Sequence, residues 1–152
     1  MVALLAQSAD AQPFLQHVCD TLNEFGVAFV ERVLGGRAAL RDTVASFEAA
    51  GAGVFVVANT SADPLATAVA GLTRRPVLAI PLAAGGLAPL DALRAATRGG
   101  PAVASLAVGK AGAINAALLT VAIFANADPG LRRKLDAFRA DQTARVLAEP
   151  LE

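Results

Sequence analysis

The sequence predicts an α/β fold, a three-layer αβα sandwich around a parallel sheet, and three observations predict it. Short runs such as Val54 to Val57 and Val77 to Leu82 are apolar throughout rather than on alternate residues, as expected of strands covered on both faces. Between such runs lie helical patterns of about ten to fifteen residues, the alternation of a βαβ chain. The 152 residues suffice for one domain with a sizeable core and are too few for two ordinary ones, so residues 1–152 read as a single domain.

Each element follows from local signals. Val2 to Ala6 is a continuous apolar run ended by the polar turn Gln7-Ser8-Ala9-Asp10, and helical spacing then runs from Pro13 to about Phe25, closed by Gly26. Val27 to Leu34 reads as the second strand, stopped by Gly35-Gly36. A helix from near Ala38 ends at the glycines Gly51 and Gly53. Val54 to Val57 is the third strand, and Asp63-Pro64 is a helix start, with Asp as N-cap and Pro as first helical residue. Val77 to Leu82 gives a fourth strand and Ala102 to Val108 a fifth, with a short helix around Leu90 to Thr97 between them. Ala111 to Ala125 is apolar nearly all round yet short of the roughly 18 residues of a membrane span. A helix apolar on every face must be covered on every face; the sheet covers one side, so the other is expected to meet a neighbouring subunit. Asp128-Pro129 caps an extended last helix, with Leu131, Leu135, Phe138 and Val146 on one face.

Composition narrows the function. Hydrophobic residues make up 55% of the chain but aromatics only 5%, with no Trp or Tyr. Small side chains allow close approach but each buries little area, which again favours an oligomer. With 13 basic and 13 acidic residues the formal net charge is zero, leaving no global field for nucleic acid or an anionic membrane. The single cysteine, Cys19, cannot form an internal disulfide. The opening MVALLAQSADAQPF lacks the basic lead and long apolar core of a secretion signal, so the cytoplasm is the expected location. No pair of His, Cys or carboxylate residues has metal-ligand spacing, and neither metal nor cofactor is expected.

In a doubly wound sheet, ligands bind outside the carboxyl ends of the strands. That rule selects Gln7 to Asp10, Gly35 to Arg37, Ala58 to Asp63 and Gly109 to Gly112. The first loop has no glycine, so the dinucleotide fingerprint is absent, and a ligand smaller than a dinucleotide is expected. The last loop lies in VGKAGAINAALL, Val108 to Leu119. A nucleotide-hydrolase phosphate loop needs glycine five residues before the Gly-Lys pair and Ser or Thr after it; those positions are Ala104 and Ala111.

VGKAGAINAALL with the preceding Ser105-Leu106-Ala107 is similar to TLAIGKAGAANAALL of the PurE family, the carboxyaminoimidazole ribonucleotide mutases of purine biosynthesis. PVLAIPL at Pro76 to Leu82, Leu90-Asp91-Ala92-Leu93, and the stretch from Leu135 to Thr143 resemble the family's PVLGVPV, VDSL and LxxWRxxQT. Order and spacing hold over nearly the whole chain, with small deletions before Val54 and before Ala102. The resemblance implies a flavodoxin-like sandwich, a homo-oligomer that is octameric, and active sites shared between subunits.

The loops depart from that pattern. Where the family has G-S-x-S-D for the ribose phosphate, this chain has Ala6-Gln7-Ser8-Ala9-Asp10; where it has S-A-H-R, this chain has Leu34-Gly35-Gly36-Arg37. The family's G-A-G-G-A-A-H-L-P-G aligns to Ala58 through Thr67, so its two histidine positions are Gly36 and Pro64 here. The candidate ligand-binding residues are therefore Ser8, Asp10, Gly35, Gly36, Arg37, Asn59, Ser61 and Lys110, and no residue is assigned a catalytic role. The structural alternatives are an Asp10–Arg37 ion pair, ordinary loop and cap chemistry for Asn59, Thr60, Ser61 and Asp63, and a strand-to-helix turn for Lys110.

Moving a carboxyl group between an exocyclic nitrogen and a ring carbon requires a proton to be delivered and removed by a group titrating near neutrality. The one histidine, His17, lies inside the first helix. The sequence thus reads as a PurE-like chain with degenerate catalytic loops, impaired or repurposed to hold a nucleotide-like small molecule or to serve as a structural subunit, alone or with an intact paralogue that completes its site. The alternative is an active divergent mutase, or a related carboxylase or lyase, working without histidine, with Asp10 or Asp63 as recruited acid or base.

Overall fold

A computed structural model describes residues 1–35, 39–60, 65–82 and 100–149, with residues 59 and 60 described by backbone alone. Five parallel strands form one sheet: β1 (Val2–Ala6), β2 (Phe29–Val33), β3 (Val54–Thr60), β4 (Val77–Leu82) and β5 (Ala104–Ser105), in the order β2-β1-β3-β4-β5. This is the flavodoxin-like order, whose reversal falls between β1 and β3. Helices α1 (Gln12–Phe25), α4 (Lys110–Ala125) and α5 (Pro129–Ala148) lie on one face, and α2 (Leu40–Ala49) and α3 (Leu65–Ala70) on the other. The predicted start Asp63-Pro64 and the short helix around Leu90 to Thr97 lie outside the described residues.

The all-apolar runs divide by parity into two cores. Val2, Leu4 and Ala6 of β1, with Val54, Val56 and Ala58 of β3, meet α1 and α4. Ala3, Leu5, Phe55 and Val57 meet α2 and α3. Every residue of β1 and β4 is buried, which is why neither strand shows the alternation of a half-exposed sheet.

Three strands, β2, β3 and β5, differ in extent from the sequence expectation, each for a backbone reason. Val27 and Ala28 do not begin β2. Gly26 is left-handed (φ 72°) and the Val27 N–H donates to the Leu22 carbonyl at 2.9 Å, the six-to-one bond of a Schellman cap. Val27 is spent closing α1. β3 runs three residues past Val57, because Ala58, Asn59 and Thr60 stay in register with Ile80, Pro81 and Leu82. β5 is shorter than Ala102 to Val108: Leu106 N–H donates to the Ala79 carbonyl and Gly109 N–H to that of Pro81. Three steps along this strand thus span two along β4, a bulge that ends regular pairing.

In α5, Asp128 caps as predicted, its Oδ1 accepting from the N–H groups of Gly130 (2.8 Å) and Leu131 (3.0 Å). Leu131 and Leu135 are buried, and the Phe138 ring meets Phe25 edge-on at 5.4 Å. Lys134 Nζ donates to the Phe25 carbonyl at 3.0 Å, placing a cation on the carbonyl end of α1. Val146 does not share the packed face; it is 68% exposed. A helix of 20 residues is about 30 Å long, and from Arg139 onward every described residue is exposed. Among the described residues, no helix is long and apolar enough to cross a membrane.

Candidate functional site

Because all strands run parallel, their carboxyl ends form one rim, and the backbone bonds along it fix how the loops neighbour one another. The Leu34 N–H donates to the Ala6 carbonyl at 2.8 Å, joining the ends of β2 and β1. Ala6 is in register with Ala58 across the switch point, and Asn59 with Pro81 one strand further. The Pro81 carbonyl accepts from Gly109 N–H at 3.0 Å, which brings in the turn that starts α4.

Of the predicted ligand residues, Ser8, Asp10, Gly35, Asn59 and Lys110 sit on this rim. Ser8 is half-buried and extended, and its side chain does not cap the short turn Ala9–Ala11 that follows. Asp10 is exposed on that turn. Gly35 is exposed with open space where a Cβ would stand. Asn59 belongs to β3 rather than to the loop after it. Lys110 is the exposed first residue of α4. Gly36, Arg37 and Ser61 lie outside the described residues.

The Gly-Lys motif has an architectural account. Gly109 adopts φ 70° and ψ −140°, a region essentially restricted to glycine. A Cβ at Gly112 would stand 1.7 Å from the Ala107 carbonyl oxygen. The two glycines let the bulged β5 turn directly into α4 with the backbones in contact.

Neither His17 nor Cys19 lies on the rim. His17 is half-buried within α1, and its carbonyl accepts from Thr21 Oγ1 at 2.9 Å. Cys19 is buried against β2, with Sγ 3.9 Å from Glu31 Oε2. Burial first, and then the nearby Glu31 carboxylate, push its thiol up from 9.0 to about 11. A thiol so held is a poor nucleophile at neutral pH. It also carries a pH signature. The folded chain keeps this proton longer than the unfolded chain, so a contribution of roughly 2–3 kcal/mol is fully present below about pH 9 and lost as pH rises through about 11. Urea midpoints of the wild type should therefore fall more steeply between pH 8.5 and 11 than those of Cys19→Ala; parallel curves would contradict the shift.

Two residues of consequence were not singled out by sequence reasoning. Gly112 lies in the Gly-Lys motif, but only the close approach of Ala107 reveals its role. Gln7, the first residue beyond β1, has a side-chain oxygen that is buried without a hydrogen-bond partner. Nothing in the periodicity marks it.

Known proteins agree with this architecture. The sequence profile of AIR carboxylase matches residues 1–145. The chain is 34% identical to an N5-carboxyaminoimidazole ribonucleotide mutase of Vibrio cholerae, over 98% of this chain and 96% of that one. It is 32% identical to the Bacillus subtilis protein of the same name, over 97% and 94%. In structure it is similar to Treponema denticola PurE, with a TM-score of 0.86 at 18% identity, covering 96% of this chain and 93% of the other; that likeness concerns the fold. With the profile spanning nearly the full length and curated relatives covered almost end to end, this chain belongs to the AIR carboxylase (PurE) family.

Proposed function

We propose that this chain is a single-domain cytoplasmic PurE-like protein that binds an imidazole ribonucleotide at the rim between β1 and β3, and that it is catalytically impaired. The binding half rests on the relatives' named activity, on their end-to-end similarity to this chain, and on the position of the rim at the strand-order reversal. The impairment rests on the loop resemblance, which sets Gly36 and Pro64 where the family's loops carry histidine. Ser8, Asp10, Gly35, Gly36, Arg37, Asn59, Ser61 and Lys110 are the residues we assign to the ligand. Calorimetric titration with aminoimidazole ribonucleotide and its carboxylated forms tests the reading. Saturable binding without appreciable isomerisation is expected. Robust turnover by a homogeneous preparation would refute the impairment, and no binding would refute the ligand.

We further propose that the chain works as a homo-oligomer, an octamer as the resemblance implies. Leu119 is 39% exposed on the outer side of α4, and Val146 and Leu147 are 68% and 80% exposed at the free end of α5. Apolar side chains at those positions fit burial against other copies. Light scattering should report an octamer, and truncation after Arg139 should dissociate it. A monodisperse monomer of the intact chain at micromolar concentration would count against the assembly.

A further inference from the structure

The cavities flanking Leu119 and Leu135 lie on the α4–α5 face proposed above to meet other copies. A third lies at the opposite end of the sheet from the rim, a cavity of about 460 Å³ lined by Glu48, Gly71, Leu72, Thr73, Arg74 and Arg75. Its walls are the last turn of α2 and the loop that leads into β4. That loop is pinned. Gly71 N–H donates to the Thr67 carbonyl and Leu72 N–H to that of Val69, and the Pro76 carbonyl accepts from Phe55 N–H. Thr73 Oγ1 donates to Glu48 Oε1 at 2.5 Å and accepts from Arg75 N–H at 3.0 Å, tying the loop to α2.

The charges on this frame are open. Among the described residues neither the Arg74 nor the Arg75 guanidinium has an ion-pair or hydrogen-bond partner, and Oε2 of Glu48 has none either. Two adjacent cations facing one cavity repel each other until an anion lies between them, and guanidinium is well shaped to hold an oxyanion through paired N–H donors. A plain dianion would also meet the Glu48 carboxylate and the negative end of α2, both of which favour a cation. Two positive groups and one negative call for the inverse pattern. We infer that this cavity binds a small zwitterion with two anionic groups and one ammonium, the charge pattern of an acidic amino acid, its carboxylates on Arg74 and Arg75 and its ammonium on Glu48. The volume lies within the usual range for small-ligand sites, roughly 300–1,000 Å³. This site is separate from the rim and does not rest on the function proposed there.

L-aspartate, succinate and L-alanine are the probes, titrated by calorimetry into the intact wild-type chain, Glu48→Gln, and the double variant Arg74→Gln/Arg75→Gln. The wild type should bind L-aspartate with a dissociation constant on the order of millimolar, as expected of a small ligand in an open site. It should bind succinate, which lacks the ammonium, and L-alanine, which lacks the second carboxylate, about tenfold more weakly. The arginine double variant should lose about tenfold or more in aspartate affinity. Glu48→Gln keeps an acceptor for Thr73 and removes the charge, so it should weaken L-aspartate and strengthen succinate. That reversal separates a ligand contact from damage to the loop, which would weaken both. A wild type that does not bind L-aspartate or binds all three probes equally, an arginine variant that binds as the wild type does, or a Glu48→Gln variant that moves aspartate and succinate in the same direction overturns the inference. Should the double variant fold poorly, judged by its melting temperature, the wild-type probe order and the Glu48→Gln reversal decide alone.

Discussion

Replacing Gly112 by alanine should remove more than about 4 kcal/mol of stability, which would bring a domain at the low end of the usual range of roughly 5–15 kcal/mol close to unfolding. The added Cβ would lie 1.7 Å from the Ala107 carbonyl oxygen and 2.7 Å from its carbonyl carbon. Both atoms are backbone, so no rotamer change relieves the clash. The first turn of α4 would have to lift from the β5 turn. That movement strains the Gly109–Pro81 hydrogen bond and loosens Ala113, Ala116 and Ala117, each fully buried. Small side chains give α4 little area per residue, so its stability depends on close approach, and a gap forfeits dispersion along the whole interface. Gly35→Ala is the control: nothing lies within 4 Å of its Cβ position, and the change should stay within about 0.5 kcal/mol. Equal urea midpoints for Gly112→Ala and wild type would show that the turn is not the tight junction described.

The same junction shows how much of the molecule was legible in the residues alone. β1 and β4 were readable to the residue, because a strand buried on both faces announces itself as an unbroken apolar run. Asp128-Pro129 and Gly26 marked helix ends through chemistry that acts within a few residues. What was missed depends on partners distant in sequence. Val27 has strand character, yet its N–H is taken by Leu22. Asn59 looks like a loop residue, yet its backbone is held in register with Pro81. Val146 continues the apolar spacing of α5 but outruns the body of the domain. The rim was predictable, since parallel strands bring their following loops to one side. The unpartnered oxygen of Gln7 was not, because in the local pattern Gln7 is an ordinary polar turn residue.

Assayed beside the Vibrio cholerae relative under the same conditions, this chain should convert the carboxylated imidazole ribonucleotide at least 10²–10⁴-fold more slowly, the usual range for a lost general acid–base. The ribonucleotide affinity proposed above should fall much less, because the parallel strands bring the proposed ligand loops to one rim, with Lys110 exposed at the start of α4. The proposed deficit belongs to the proton-transfer step: carboxyl migration to a ring carbon leaves a proton that must be taken up, and near neutrality imidazole does this best. His17 cannot stand in, being half-buried within α1 and away from the carboxyl ends of the strands. Asp10 is exposed to solvent on the short turn after β1. On the proposed reading Gly36→His supplies an imidazole at the first of the two histidine positions of the family, so it should recover part of the rate and introduce a pH dependence near the ordinary histidine range of about 6.5. A wild-type rate matching that of the relative would end the case for impairment. A Gly36→His variant that binds as the wild type does yet gains no rate would place the defect in the third loop, at Pro64, rather than in the second.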